Sequence, residues 1–344
     1  MLDRARRALS VLILGLAVAG CGFDDAPEAE SPNPTTTELP EVSRRCDLGR
    51  RNDQGVAGHD LAAAAELPDG RVLFTFGDTY LGEVDGDTRR TTGLINSSAA
   101  LLPAGDDICD PSLAYLTDLG GGIRPLLPRP PKEGTAYWPV DVSVIDGRVW
   151  MLYRWVERTG DGTLDLRILG TGMAVADPEE LIFAAADDLL VEGADPLPAS
   201  ITSHRDELVA VVCAEADRPD CRLHPIDTEA NEIGPARAEP AIPLAAPEMS
   251  LARVEIDGQE TWRASSMPLL RCRLRVAVLE GDEWQIETVL APEVTNDGLC
   301  YAGRVQEAFS DADRLFATWV ESPEQRSDGD VYWPHVERID LTDR

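Results

Sequence analysis

One pattern recurs five times along this chain and limits what it can become. A run rich in small residues meets a polar turn, and a more apolar run follows. It reads Leu61–Leu67, Asp69-Gly70, Val72–Phe76, and again Val140–Val144, Asp146-Gly147, Val149–Trp155. The third copy is Ser200–Ser203, Arg205-Asp206, Leu208–Cys213. The fourth is Ser250–Val254, Asp257-Gly258, Thr261–Ser265, and the fifth is Ala302–Gln306, Asp311-Ala312, Leu315–Val320. Short β-branched and aromatic runs between Asp/Gly/Pro turns, without long helical spacing, specify strands. The turns near 69, 146, 206, 257 and 311 are 77, 60, 51 and 54 residues apart. Each interval holds several strands, as in propeller blades. Further strands are expected at Ile95–Leu102, Leu113–Leu116, Leu164–Val175 and Leu181–Ala184.

The expected fold is therefore all-β: a five-bladed β-propeller in which small residues crowd the axis. After Val320 the last unit has room for only one or two strands, such as Val331–Ile339. An N-terminal strand near Glu41–Leu48 is expected to complete that blade and close the ring. A pair of β-sandwiches is the competing arrangement.

The N-terminus reads as an export signal. Arg4, Arg6 and Arg7 precede the apolar stretch Ala8–Ala19, which is shorter than the ~20 residues a spanning helix needs. Leu16-Ala17-Val18-Ala19-Gly20-Cys21 resembles the bacterial lipoprotein signal, in which Cys21 becomes lipid-modified. An ordinary cleaved signal peptide is the alternative. Residues 1–20 are read as the signal and 21–43 as a disordered acidic, Pro- and Thr-rich tether. Residues 44–344 are read as a single propeller domain, exported and lipid-anchored on the periplasmic or surface side of the cell envelope, and monomeric.

The formal charge is −31. Residues 1–20 hold three arginines and one aspartate, so their removal takes away +2 and leaves −33. Such a surface repels nucleic acid. Apart from Cys21, six cysteines remain, Cys46, Cys109, Cys213, Cys221, Cys272 and Cys300. An even number in an exported protein favours disulfides, and six permit fifteen pairings. Cys213 and Cys221 flank a short acidic loop and could close a hairpin, with Cys272–Cys300 and Cys46–Cys109 completing the set. Zinc competes weakly, because CxxC is absent and His59, His204, His224 and His335 lack ligand spacing. No cofactor is expected. Asp85-Gly86-Asp87 and Asp328-Gly329-Asp330 lack a full calcium ligand set and read as solvated turns.

In a propeller, ligands meet the ends of the inner strands. His59-Asp60 precedes the first inner strand, Asp78 ends the next strand, and Asp141 enters the second inner strand. Glu248 precedes the fourth and Glu307 belongs to the fifth, while Arg253 and Arg304 offer positive charge. Glycoside hydrolysis needs two carboxyl groups flanking the scissile bond, one protonated and one ionised. A third nearby acid keeps the donor neutral by like-charge repulsion. Asp60, Asp78 and Asp141 could form that cluster, and Tyr80, Tyr137, Trp138 and Tyr301 could stack on sugars. Each has a plainer reading: a turn cap for Asp78, a loop-amide partner for Asp60, an isolated strand-start acid for Asp141, blade packing for Trp138, solvated or structural acids for Glu248 and Glu307.

Gly58-His59-Asp60, Asp69-Gly70-Arg71, Phe76-Gly77-Asp78-Thr79, Asn96-Ser97-Ser98-Ala99 and Trp138-Pro139-Val140-Asp141 together resemble the bacterial domain of unknown function 4185 (DUF4185). The resemblance is clearest over residues 55–155 and continues to about 340 only through the repeat. It implies a five-bladed propeller related to arabinanases, some members being endo-D-arabinanases. It implies Asp60, Asp78 and Asp141 as the catalytic acids. With His59, Trp138, Tyr301, Arg304 and Glu307 as substrate-binding candidates, the expected activity is hydrolysis of a furanose-containing polysaccharide of arabinan or arabinogalactan type. A non-catalytic surface protein that binds glycan or a protein partner is the second reading, and a structural envelope lipoprotein the third.

Overall fold

The computed structural model describes residues 39–341, apart from 51–53, 111, 161–164, 187, 206, 216–218, 245–246, 269–271, 295–298 and 323–331. The signal, Cys21 and most of the tether lie outside the described residues, as do Asp206, Val331 and the Asp328-Gly329-Asp330 cluster. The described chain forms six antiparallel sheets, with one 3-10 turn at Glu307–Phe309. Among the described residues no helix is long and apolar enough to cross a membrane.

Each of the five repeated hairpins opens a sheet. The first sheet runs Ala63–Glu66, Val72–Phe76, Ser98–Leu102, Ala114–Tyr115. The second runs Thr135–Ile145, Arg148–Arg158, Leu166–Ala176, with Ala184–Ala185 and Val191–Glu192 on its edge. The third runs Leu197–His204, Glu207–Cys213, Cys221–Asp227, Glu232–Ile233. The fourth runs Met249–Ile256, Gln259–Ser266, Leu274–Glu280, Glu283–Leu290. The fifth begins with Leu299–Val305, Arg314–Ser322 and Pro334–Asp340. In the first four sheets the turns between lead and second strands use left-handed residues, Asp146-Gly147 and Asp257-Gly258 among them, which suit the twist of paired strands.

The fifth sheet takes its outer strand from the other end of the chain. Val42–Asp47 pairs antiparallel with Pro334–Asp340, from Val42 opposite Ile339 to Asp47 opposite His335. This is the N-terminal strand expected from the sequence. Cys46–Cys109 then ties it to the loop after Ser98–Leu102 in the first sheet. Cys213–Cys221 links two neighbouring strands of the third sheet, and Cys272–Cys300 joins the fourth sheet's approach to the fifth lead strand.

The lead strands are neighbours in succession: the first lies against the second, the second against the third, the third against the fourth, the fourth against the fifth. Gln306, at the end of the fifth, donates to Ala62 O at 2.6 Å, just before the first. Small side chains permit this approach: Ala63, Ala199 and Ser200 are fully enclosed. All five lead strands line a cavity of about 240 Å³.

Two expectations change. The run expected at Ile95–Leu102 splits at Asn96-Ser97, because Thr88–Ile95 pairs with Thr79–Asp85 while Ser98–Leu102 returns to Val72–Phe76. Thr79–Asp85 also takes Val56–His59, which makes an unanticipated three-stranded sheet. The strand expected at Leu181–Ala184 shrinks to Ala184–Ala185, since Leu181 turns left-handed at φ 52°.

Opening the Cys46–Cys109 bridge frees a 63-residue separation. The Cys46→Ser/Cys109→Ser protein should lose about 4 kcal/mol of stability on chain-entropy grounds. Chemical denaturation measures it, and a loss under about 1 kcal/mol would show that strand pairing alone holds the N-terminus.

Candidate active site

Asp60 and Asp78 meet because Gly77 has no side chain. A Cβ placed on Gly77 would lie 2.3 Å from Asp60 Oδ1. The glycine thus admits a carboxylate of the same chain. The two segments are also stitched through backbone: Asp60 N–H donates to Asp78 O at 3.2 Å, and Gly77 N–H to Asp60 O at 3.0 Å.

The two carboxylates have different partners. Asp60 Oδ2 accepts the hydroxyls of Tyr301 at 3.1 Å and Tyr332 at 3.0 Å. Asp78 Oδ1 accepts Asn96 Nδ2 and Trp138 Nε1, both at 2.8 Å, and its Oδ2 faces Arg158 Nη2 at 3.3 Å. Asp78 is buried; Asp60, Trp138 and Tyr301 keep part of their surface exposed.

Strain collects here. Leu61, Ala302 and Tyr332 all have left-handed backbone, at φ 58°, 53° and 69°. Leu61 follows Asp60, Ala302 follows Tyr301, and Tyr332 is itself an Asp60 donor. Non-glycine residues in this region cost about 1–3 kcal/mol each and gather at functional sites. They persist because Leu61, Ala302, Val320 and Tyr332 pack together in a small apolar cluster. The guanidinium of Arg89 lies near both the Tyr80 and Tyr332 rings, 5.1 and 5.7 Å from their centroids.

Electrostatics sets Asp60 apart. Burial raises its pKa well above the usual carboxylate range, and the negative charges of Asp78 and Glu248 push the same way. The tyrosine hydrogen bonds oppose this without reversing it. Burial, then the charge of Asp60, raises Tyr301 and Tyr332 well above the ordinary phenol range, so both stay donors. Glu248, which the sequence placed ahead of the fourth lead strand without favouring it, therefore acts on Asp60. Its Oε1 lies 4.0 Å from Arg154 Nη1, and burial draws the Arg154 pKa down to about 10 against the pull of Glu248.

The remaining sequence candidates lie elsewhere. Asp141 does not share partners with Asp60 and Asp78. Its Oδ2 accepts Ser200 Oγ at 2.5 Å and Ile201 N–H at 2.9 Å, and its Oδ1 accepts Arg304 Nη1 at 3.1 Å. Asp141, Arg304 and Glu307 line the cavity between the lead strands. Glu307 pairs with buried Arg263 at 2.5 Å. His59, expected beside a ligand, is fully enclosed: Phe76 lies 3.8 Å away centroid to centroid, Tyr115 OH bonds its Nε2 at 2.7 Å, and Trp333 packs on its edge. Burial, reinforced by Arg89, lowers its pKa to about 3, so it is neutral core. Among the described residues no three His, Cys, Asp or Glu side chains converge as a cation site.

The arrangement has a direction. Asp60, Trp138, Glu248 and Tyr301 stand before or at the start of lead strands whose later residues line the cavity. The acids thus lie at one end of the lead strands, and the Asp141–Arg304 pair follows further along.

The Domain of unknown function (DUF5005) family model matches residues 47–190. That span contains Asp60, Asp78, Trp138, Asp141 and Arg158, and stops before Glu248, Tyr301 and Tyr332. No curated protein matches. Among solved structures, a Bacteroides ovatus protein provisionally described as a hydrolase aligns at TM-score 0.63 and 13% identity, covering 89% of this chain and 93% of that one. At that identity the likeness shows a shared fold. A Trypanosoma rangeli sialidase in complex with sialic acid aligns at TM-score 0.48 and 10% identity, over 83% of this chain and 45% of the sialidase. A Dyadobacter fermentans protein of unknown function aligns at TM-score 0.48 and 9% identity, covering 88% of this chain and 100% of that one.

A carboxyl group whose pKa is raised by folding contributes stability at acid pH and loses it as pH rises through the raised value. Asp60→Asn removes that penalty and keeps an acceptor for the tyrosines. The variant should melt higher than the parent at pH 7–8, with the difference vanishing near pH 3.5. Calorimetry across that range checks it; a variant that melts lower at pH 8 would mean that the ionised carboxylate stabilises the fold.

Proposed function

We propose that the Asp60–Asp78–Glu248 site hydrolyses glycosidic bonds. One arrangement carries this reading: the Asp60 carboxyl group, held by the Tyr301 and Tyr332 hydroxyls against Gly77 and Asp78, has its pKa raised by burial first and then by the charges of Asp78 and Glu248. That is the electrostatic division of labour glycoside hydrolysis requires. In this reading Asp60 gives its proton to the leaving glycosidic oxygen. Asp78, fixed by Asn96, Trp138 and Arg158, supplies the like charge that holds the proton until it is needed. Glu248, partly exposed and near Arg154, activates water or stabilises the positive charge developing on the sugar. Trp138 and Tyr301 present aromatic surface to the ring. Asp141 takes a supporting place beneath the site instead of the third catalytic role that the sequence suggested.

The scaffold we infer is a five-bladed propeller over residues 44–344. It is supported by five successive lead strands, their common cavity and the N-terminal strand in the last sheet. For the substrate we propose a furanose-containing polysaccharide of arabinan or arabinogalactan type, a reading supported by the sequence's resemblance to DUF4185. Three disulfides fit an exported protein. Lipidation of Cys21, with the protein acting as a monomer at the envelope, completes the proposal. Non-catalytic glycan binding at the same face is the second reading, favoured by the three donors that Asp78 accepts, since a purely structural carboxylate is held the same way.

Product release from a panel of arabinans, arabinogalactans and other plant and mycobacterial polysaccharides tests the choice. Asp60→Asn, which removes the proposed proton donor, should lower the rate by about 10²–10⁴-fold. The alkaline limb of the rate profile should belong to Asp60, falling as pH rises through its pKa, and should move to lower pH in Asp78→Asn, which removes the neighbouring charge. Glycan retention without product in the parent protein would favour the binding reading; unchanged turnover in Asp60→Asn would remove the hydrolytic one.

A further inference from the structure

The three-stranded sheet outside the five repeats is built directly onto the acids, and the proposed hydrolysis does not yet use it. Val56–His59 runs into Asp60, and Thr79–Asp85 leaves Asp78. Thr88–Ile95 runs into Asn96, the donor to Asp78. The base of this sheet is therefore the acid site itself. One row above the base, Gly58, Tyr80 and Leu94 stand opposite one another across the three strands. Directly opposed residues of an antiparallel pair project from the same face. Tyr80 is two residues beyond Asp78, about 7 Å along the strand.

The row offers apolar surface held in place by its neighbours. Leu94 is 44% exposed, and Tyr80 is partly exposed. A lone exposed leucine is ordinary. This one stands in register with an aromatic ring, on a strand that ends at the acids. The Tyr80 ring lies 5.1 Å from the guanidinium of buried Arg89. It lies 5.1 Å from the ring of Tyr332, whose hydroxyl donates to Asp60. Arg89 is anchored in turn, its Nε donating to Ala57 O at 2.7 Å. Gly58 leaves room for that guanidinium, since a Cβ there would lie 2.9 Å from Arg89 Nη2. A side chain already fixed in this way gives up little freedom when a ligand covers it. Sugar rings carry hydroxyls at their edges and C–H groups on their faces, and such a face is drawn to apolar and aromatic surface.

We propose that Tyr80 and Leu94 form a subsite that takes the apolar face of a sugar flanking the scissile bond. The subsite rests on the glycoside reading of the acids and adds where the rest of the glycan is held. A contact of this kind is the same before and during bond cleavage, so it acts on KM and not on kcat.

Arabinofuranose oligosaccharides are the probe. Rates are measured with the parent and the Leu94 variants, and binding by calorimetry with the same proteins carrying Asp60→Asn. Leu94→Asn removes the apolar surface from an exposed position, and should raise KM and Kd about 10-fold. It should leave kcat and the alkaline limb of the rate profile where they were. Leu94→Trp enlarges the surface and should lower both constants, a gain that a misfolded variant does not produce. Binding weakened by Leu94→Asn, with no product from the parent, would keep the subsite and remove hydrolysis. Product from the parent, with KM and Kd unmoved in both Leu94 variants, would overturn the subsite and keep hydrolysis. Neither binding nor product would overturn both.

Discussion

The buried Asp141–Arg304 pair is the interaction on which the centre of this molecule depends. Arg304 comes from the fifth lead strand and reaches both the carboxylate of Asp141 and the carbonyl of Val140 on the second. Asp141 in turn holds Ser200 and Ile201 on the third. One residue on, Val305 N–H donates to Ser265 Oγ of the fourth sheet at 2.7 Å, and Gln306 reaches back to Ala62 beside the first. A backbone lined with alanine and serine cannot hold five strands together by apolar side chains alone. A charged pair fixed by hydrogen bonds supplies direction that small apolar residues lack. Removing one partner from such a buried pair typically costs about 3–5 kcal/mol, because the other charge is stranded.

With the lead strands held there, their beginnings converge and concentrate unfavourable features at one end. Asp60 loses solvation and faces like charge. Leu61, Ala302 and Tyr332 adopt left-handed backbone around it. None of this stabilises the fold, so it must be offset elsewhere, by enclosed cores such as Phe74, Phe76 and Trp333 and by the Cys46–Cys109 bridge. Gly77 makes the arrangement sterically possible. Any side chain there would contest the space of Asp60 Oδ1, and Asp60 is already tethered through its other oxygen to two tyrosines.

Much of this was legible in the sequence because it is written in local patterns. The five hairpins follow from turn residues and strand periodicity, and the strand at Val42–Asp47 follows from a last unit one strand short. Asp60 and Asp78 stood out as acids at strand ends. The rest depends on contacts distant in sequence. Nothing near Asp141 announces that its partner is Arg304, or that Glu248 acts on Asp60. The order in space of five similar strands decides both. His59 was expected to bind substrate beside Asp60, yet all of Val56–His59 is buried, and the aromatic side chains of Phe76, Tyr115 and Trp333 enclose the imidazole. The three-stranded sheet escaped notice because Thr88–Ile95 is polar and partly exposed, with little apolar alternation.

The chemistry of the site depends on Asp60 keeping its proton beside Asp78 and Glu248. Carbon-13 NMR of aspartate-labelled protein, with the Asp60 carboxyl signal identified by its loss in Asp60→Asn, measures this directly. The midpoint should lie well above the ordinary carboxylate range in the parent and move downward when Asp78→Asn removes the neighbouring charge. A parent midpoint within the ordinary range, unmoved by Asp78→Asn, would contradict it.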